Sequence, residues 1–253
     1  MRTMKLKLAL GLFTAASALL LSDVANAYHT MPKYRWYARL GAGYTLPDNV
    51  TLTDPGKNGG APFRYSRVKI NGGFVGDAAL GFHFFRMIRG EVMVGYLYRK
   101  LNDNAVPTTS GPGTGTLGNQ VLSSTVSSKV QSFVGMVNGY VDLLEWHHFI
   151  PYVGAGLGFS ANKLDNVVTN GQPAALLGQF TYQSRTETNL AWQLTAGTAL
   201  RLTEEWTADL YYRYMNLGKI KSSTQNNLNY AYSGALSGNY NSHMVVLGVR
   251  YSW

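Results

Sequence analysis

Seven charged residues, Arg39, Asp77, Glu91, Asp142, Asp209, Arg213 and Arg250, fall on the small or polar side of segments in which apolar residues recur every second position, and Arg201 closes another such segment. Arginine and carboxylate match as forked donor and acceptor, and charges taken out of water must be compensated. The chemistry expected of this set is therefore ion pairing inside an enclosed space, a hydrogen-bonded structural plug. The alternative is that the same groups pair loosely in enclosed water.

Nothing comparable supports turnover. Of the five histidines, His29 precedes the patterned region, His147 and His148 lie in a short turn beside Trp146, and His83 belongs to the inward set near a strand end. Ser242 and His243 are adjacent near the start of the last segment, but nucleophile chemistry needs a base and an orienting partner in reach, and no third group follows from spacing. Gly154-Ala155-Gly156-Leu157-Gly158 lacks the G-x-G-x-x-G spacing of a nucleotide loop and no helical pattern follows it. No catalytic, cofactor-binding or metal residues are expected. The absence of cysteine excludes disulfides and thiolate metal sites. The formal net charge of +9 is spread over the chain without a contiguous basic run, so phosphate-rich lipid is a better destination for it than nucleic acid.

The N-terminal stretch reads as an address. Arg2, Lys5 and Lys7 precede the apolar run Leu8 to Leu21, and Ala25-Asn26-Ala27 is a small-x-small cleavage site, so residues 1–27 are expected to be a removed signal peptide. A retained membrane anchor is the alternative, disfavoured because the run is shorter than the ~20 residues of a spanning helix. No later stretch reaches that length without a charge or a turn signal.

What must position the charged set is a series of strands. Eight segments show the period-two alternation of a two-faced strand: near 33–46, 74–85, 88–98, 132–143, 152–159, 190–201, 206–214 and 245–253. In the first, Trp36, Ala38, Leu40, Ala42 and Tyr44 oppose Tyr37, Arg39, Gly41 and Gly43; in the last, Val245, Leu247, Val249, Tyr251 and Trp253 oppose Gly248, Arg250 and Ser252. Phe133, Trp192 and Leu194 stand on the greasy face of theirs. The connectors alternate between tight turns, at 86–87, 144–149 and 202–205, and long stretches rich in Gly, Ser, Thr, Asn and Pro, at 47–67, 100–127, 163–186 and 219–239.

Short turns on one rim and long loops on the other describe an all-β, eight-stranded antiparallel up-and-down transmembrane β-barrel over residues 28–253, with both termini on the short-turn side. Hydrocarbon offers backbone N–H and C=O groups no partner, so only helices and closed sheets span it. Threading the chain this way places Trp36, Trp146, Trp206 and Trp253 on one rim, and Tyr44, Tyr96, Tyr98, Tyr212 and Tyr214 on the other, as two aromatic girdles. A soluble lipocalin-like barrel would instead turn the greasy face inwards. It would then expose the glycines of the other face, which are more useful where bulky lumen side chains need room.

The C-terminal run His243-Met244-Val245-Val246-Leu247-Gly248-Val249-Arg250-Tyr251-Ser252-Trp253 resembles the terminal insertion signal of bacterial outer-membrane proteins, with Gly248, Tyr251 and Trp253 at its key positions. Trp253 in place of the usual Phe and Val246 in place of a polar residue depart from it. Further stretches, Trp36 to Tyr44, Asn138 to Asp142, Pro151 to Gly158, Ala191 to Leu194 and Tyr211 to Tyr214, resemble the opacity-type and OmpA-like surface barrels. That resemblance implies outer-membrane location, assembly by the barrel-assembly machinery, contact with lipopolysaccharide, a monomeric state and a non-enzymatic role as envelope structure and as surface antigen or adhesin. A narrow porin-like diffusion channel is the alternative. Function on rigid scaffolds concentrates in loops. The Tyr/Ser/Gly/Asn mixture of the last loop, with Asn226, Asn227, Asn229, Tyr230, Tyr232 and Tyr240, suits an adaptable surface for a host or cell-surface ligand.

Overall fold

The computed structural model describes residues 33–55, 63–110, 121–143, 148–172, 179–224 and 234–253. The expected signal peptide, His29, Trp146, His147 and the last-loop residues Asn226, Asn227, Asn229, Tyr230 and Tyr232 lie outside them. Among the described residues twelve strands follow one another: β1 (Trp36–Thr45), β2 (Asp48–Asp54), β3 (Phe63–Ile70), β4 (Gly73–His83), β5 (Ile88–Ser110), β6 (Val121–Asp142), β7 (Phe149–Leu164), β8 (Val167–Gln172), β9 (Gln179–Tyr182), β10 (Arg185–Arg201), β11 (Trp206–Lys221) and β12 (Ser237–Ser252).

Eight of them close a ring of antiparallel ladders in the order β1, β4, β5, β6, β7, β10, β11, β12 and back to β1. The closing seam runs from Tyr37 opposite Ser252 to Thr45 opposite Met244. Closure leaves the wall without an edge, the condition for a sheet to sit in hydrocarbon.

The facing of the side chains follows the alternation. Leu40, Leu80, Val92, Phe133, Val137, Leu157, Phe159, Leu190, Leu194 and Leu247 are exposed on the outer surface, Trp192 beside them. Their inward neighbours Arg39, Glu91, Asn138, Gln193 and Arg213 are buried. An apolar exterior around a polar interior suits lipid and excludes the lipocalin-like arrangement. The girdles have rings in place at both rims. On the short-turn side Trp206 lies 4.9 Å from Tyr251, and Tyr251 lies 6.1 Å from Trp253. On the other, Trp192 lies 5.4 Å from Tyr214.

The long connectors are built differently from the expected loops. The stretch 47–67 contains all of β2 and most of β3, and 163–186 contains β8 and β9. The wall strands also run on: β5 reaches Ser110, β6 begins at Val121, and the two stay paired out to Thr109 opposite Val121. Backbone groups that a bare loop would leave to water are satisfied by a continued ladder. Beyond the membrane, water replaces lipid outside, and the usual order of a soluble protein returns. Leu52, Val68, Ile70, Leu101, Val126, Leu164, Val167, Ile220 and Leu236 turn inward and are buried. The charge-rich interior therefore gives way, in the upper part, to an apolar core with buried polar groups such as Asp54 and Arg99 set within it.

Candidate functional site

Every wall strand contributes to a ladder of buried polar groups in the lower lumen. Arg39 on β1 donates to Asp77 on β4 (Nη1 to Oδ1, 2.6 Å) and to Glu91 on β5 (Nη2 to Oε1, 2.7 Å). Arg213 on β11 reaches the second oxygen of Asp77 at 2.9 Å, so this carboxylate is shared by two guanidinium groups. Glu91 also accepts from Tyr37 (3.2 Å), Asn138 (3.1 Å) and Tyr140 (2.9 Å), and Gln193 on β10 donates to Asn138 Oδ1 at 2.6 Å. Nearer the short-turn rim, Arg250 on β12 grips Asp209 on β11 (2.6 and 3.2 Å).

Arg89 grips Asp142 (3.0 and 3.2 Å) while its guanidinium lies over the rings of Tyr140, at 4.3 Å, and of Tyr152 on β7, at 4.6 Å. Four guanidinium groups and four carboxylates thus neutralise one another in a space that side chains fill. Such a site suits arginine, whose planar fork pairs and stacks at once.

Of the eight residues expected to form this plug, the structure brings together seven. Arg201 is the exception: it ends β10 at the short-turn rim and is exposed. Alternation points it inward, but no wall continues there to enclose it. Arg89 takes the place of the missing cation, fully buried beside Asp142. Its inward parity was visible in the sequence; its pairing was not, because Asp142 lies on the next strand, 53 residues away.

Small residues make the room. A Cβ on Gly81 would stand 2.0 Å from the ring of Tyr37, and one on Gly156 would stand 1.9 Å from Asn138 Oδ1. Above the plug, Arg99 is buried and donates to backbone carbonyls of Leu46 (2.6 Å) and Asn71 (3.2 Å), tying the base of the β2–β3 hairpin to the wall. The apolar core described above lies over it.

Ser242 and His243 form no pair. Adjacent strand residues face opposite sides: Ser242 is buried in the lumen, whereas the His243 ring packs outside, tilted against Tyr214 at 5.0 Å. His83 lies at the lower end of β4 with its ring 5.0 Å from Tyr37. Gly248 faces the lumen opposite Gly41, while Tyr251 and Trp253 face outward.

The long-connector side carries a second polar assembly. Asp54, at the end of β2, is buried and accepts from the Tyr182 hydroxyl on β9 (3.3 Å) and from the Gly234 backbone N–H (2.7 Å). One carboxylate thereby joins three of the four long connections. Tyr65 on β3 is buried beside them, and that burial pushes its hydroxyl pKa up.

A closed wall, greasy outside and ion-paired inside, ringed by aromatic girdles and capped on one rim by β-hairpins, defines a transmembrane β-barrel of the bacterial outer membrane. The chain belongs to the outer membrane protein β-barrel domain family, which it matches over residues 12–252. Among its relatives is a Rickettsia bellii protein named "Putative adhesin", 26% identical over 241 residues, covering 95% of this chain and 97% of the relative. A Rickettsia conorii protein of the same description is 25% identical over 236 residues, covering 91% of this chain and 87% of the relative. Among solved structures, the outer membrane protein OprG of Pseudomonas aeruginosa shares the fold with a TM-score of 0.51 at 13% identity, covering 88% of this chain and 97% of that one.

Proposed function

We propose that this barrel is a non-enzymatic surface protein whose hairpin cap is an adhesion and antigen element, held up by a wall that also stabilises the envelope. The observation that carries the reading is the Asp54 junction: β2, β9 and the segment before β12 are fastened to one buried carboxylate. That makes the cap a braced platform, the form in which rigid scaffolds present binding residues. The relatives named "Putative adhesin" support it, as does the outward-inward split of Ser242 and His243, which leaves that pair no shared site. The ion-paired lower lumen beneath an apolar upper core speaks against the channel alternative. Ring closure by one chain supports a monomer, and the outward Tyr251 on β12 and Trp253 just after it suit recognition by the barrel-assembly machinery.

The test is display of the full chain on a non-adherent bacterium, with host-cell binding counted. Removing residues 111–120, which connect β5 to β6 in sequence, and 173–178, which connect β8 to β9, should abolish attachment while the barrel still migrates as a folded species on unheated gels. Attachment equal to that of the intact chain would refute the adhesion reading.

A further inference from the structure

The outer face of the wall changes character abruptly above the tyrosine girdle. On β5 the outward residues run Tyr96, Tyr98, Lys100, and the Cα partner of Lys100 on β6 is Lys129. Both lysines are exposed, and neither makes an ion pair among the described residues. Lys163 on β7 pairs in register with Gln131, so a third cation stands beside Lys129 on the same face. The nearby carboxylate is already engaged: Asp165 lies 3.4 Å from Lys163 Nζ and accepts from Gln131 Nε2 at 3.1 Å. Directly opposed like charges on a ladder repel at Cβ separations of about 5 Å. An arrangement that leaves two ammonium groups face to face without a carboxylate suits an anion that bridges them.

Lys100 and Lys129 border a groove of about 430 Å³, whose other polar residues are Asn102, Ser127, Ser128, Asn166, Ser184 and Asp165, the last with its carboxylate held by Lys163 and Gln131. Its place just beyond the Tyr96 and Tyr98 rings is the depth of the lipid headgroups, where amphipathic aromatics mark the interface. We propose that the groove binds the phosphorylated headgroup of an outer-leaflet glycolipid, with Lys100 and Lys129 clasping one phosphate monoester between them. Asn102 and Ser127 add uncharged donors beside the phosphate. The site lies on the lipid-facing side of the wall and is independent of the adhesion reading of the cap.

The experiment uses the full chain folded in neutral detergent micelles, with lipid retention read by native mass spectrometry. The probes are a bis-phosphorylated lipid A, the same lipid stripped of phosphate, and inorganic phosphate. The intact chain should retain the phosphorylated lipid, and K100Q/K129Q should retain it about thirtyfold less well, the loss of two headgroup cations. K219Q, which changes an exposed lysine on β11, should retain it as the intact chain does. Unheated gel migration shows that each variant is folded; should the double variant fail it, the single variants K100Q and K129Q should each show a several-fold loss. Equal retention by the lysine variants, equal retention of the phosphate-free lipid, or displacement of the lipid by inorganic phosphate would overturn the proposal.

Discussion

Arg39 and Glu91 face each other across a strand they do not belong to: β4 lies between β1 and β5, yet two near-parallel bonds span it, Nη2 to Oε1 at 2.7 Å and Nε to Oε2 at 3.3 Å. The pair therefore ties together wall segments that share no ladder. Without Glu91, Asp77 is left as the carboxylate shared by Arg39 and Arg213, and Tyr37, Asn138 and Tyr140 lose their acceptor; breaking a buried pair in this way costs about 3–5 kcal/mol. Glu91→Ala should lower unfolding stability by about that much in urea titrations of the micelle-folded protein. Glu91→Gln, which keeps acceptors for Tyr140 and Asn138, should lose less.

Arg213→Met is expected to be milder. Asp77 keeps its bond from Arg39 when Arg213 is gone, so its carboxylate is not left unpaired. Thermal melting should fall without loss of membrane insertion, and by less than for Glu91→Ala. An unchanged melting profile would remove Arg213 from the plug.

Glycine position makes a paired prediction. Gly81→Ala drives a methyl into the Tyr37 ring and disturbs its bond to Glu91, whereas Gly135 faces outward with nothing within 4 Å of an added Cβ. The first substitution should destabilise by about 1–3 kcal/mol, the range of overpacked cores. Gly135→Ala should leave the unfolding midpoint where it is.

Sidedness is tested one residue away from a native arginine. Leu40 lies midway between Trp36 and Tyr44 on the outer face of β1, next to the inward Arg39. Leu40→Arg places the same side chain in lipid and should cost about 2–4 kcal/mol, the figure for arginine near the midplane of a barrel wall. Refolding into lipid vesicles with urea titration measures it.

A filled lumen also makes an electrical prediction. In planar bilayers the intact chain should give little steady current. Large, stable openings at moderate voltage would restore the channel reading and show that the ion pairs part readily.

Most of the wall was legible residue by residue. Alternation assigned the outward Leu40, Phe133 and Leu194 and the inward Arg39, Asp77 and Arg213 correctly, because the period of two is a local property of an extended chain. The same reasoning misplaced Arg201, since parity gives a direction and not a height, and it passed over Arg89 as a member of the plug. It also read 47–67 and 163–186 as loops. Ser, Thr, Asn and Gly are turn residues by composition, and nothing local tells that β2, β3, β8 and β9 would find ladder partners there.

Local pattern alone was enough for the strand faces, the alternation of short and long connectors, and hence a closed sheet for a membrane. Which side chains meet depends on how the ring closes. Arg213 and Asp77 are 136 residues apart and touch because the ring closes at one register. The switch from a polar lower lumen to an apolar upper core was likewise decided by where the wall leaves the lipid. Side chains answer to the solvent at their height, and height is set by the tilt and stagger of all eight strands together.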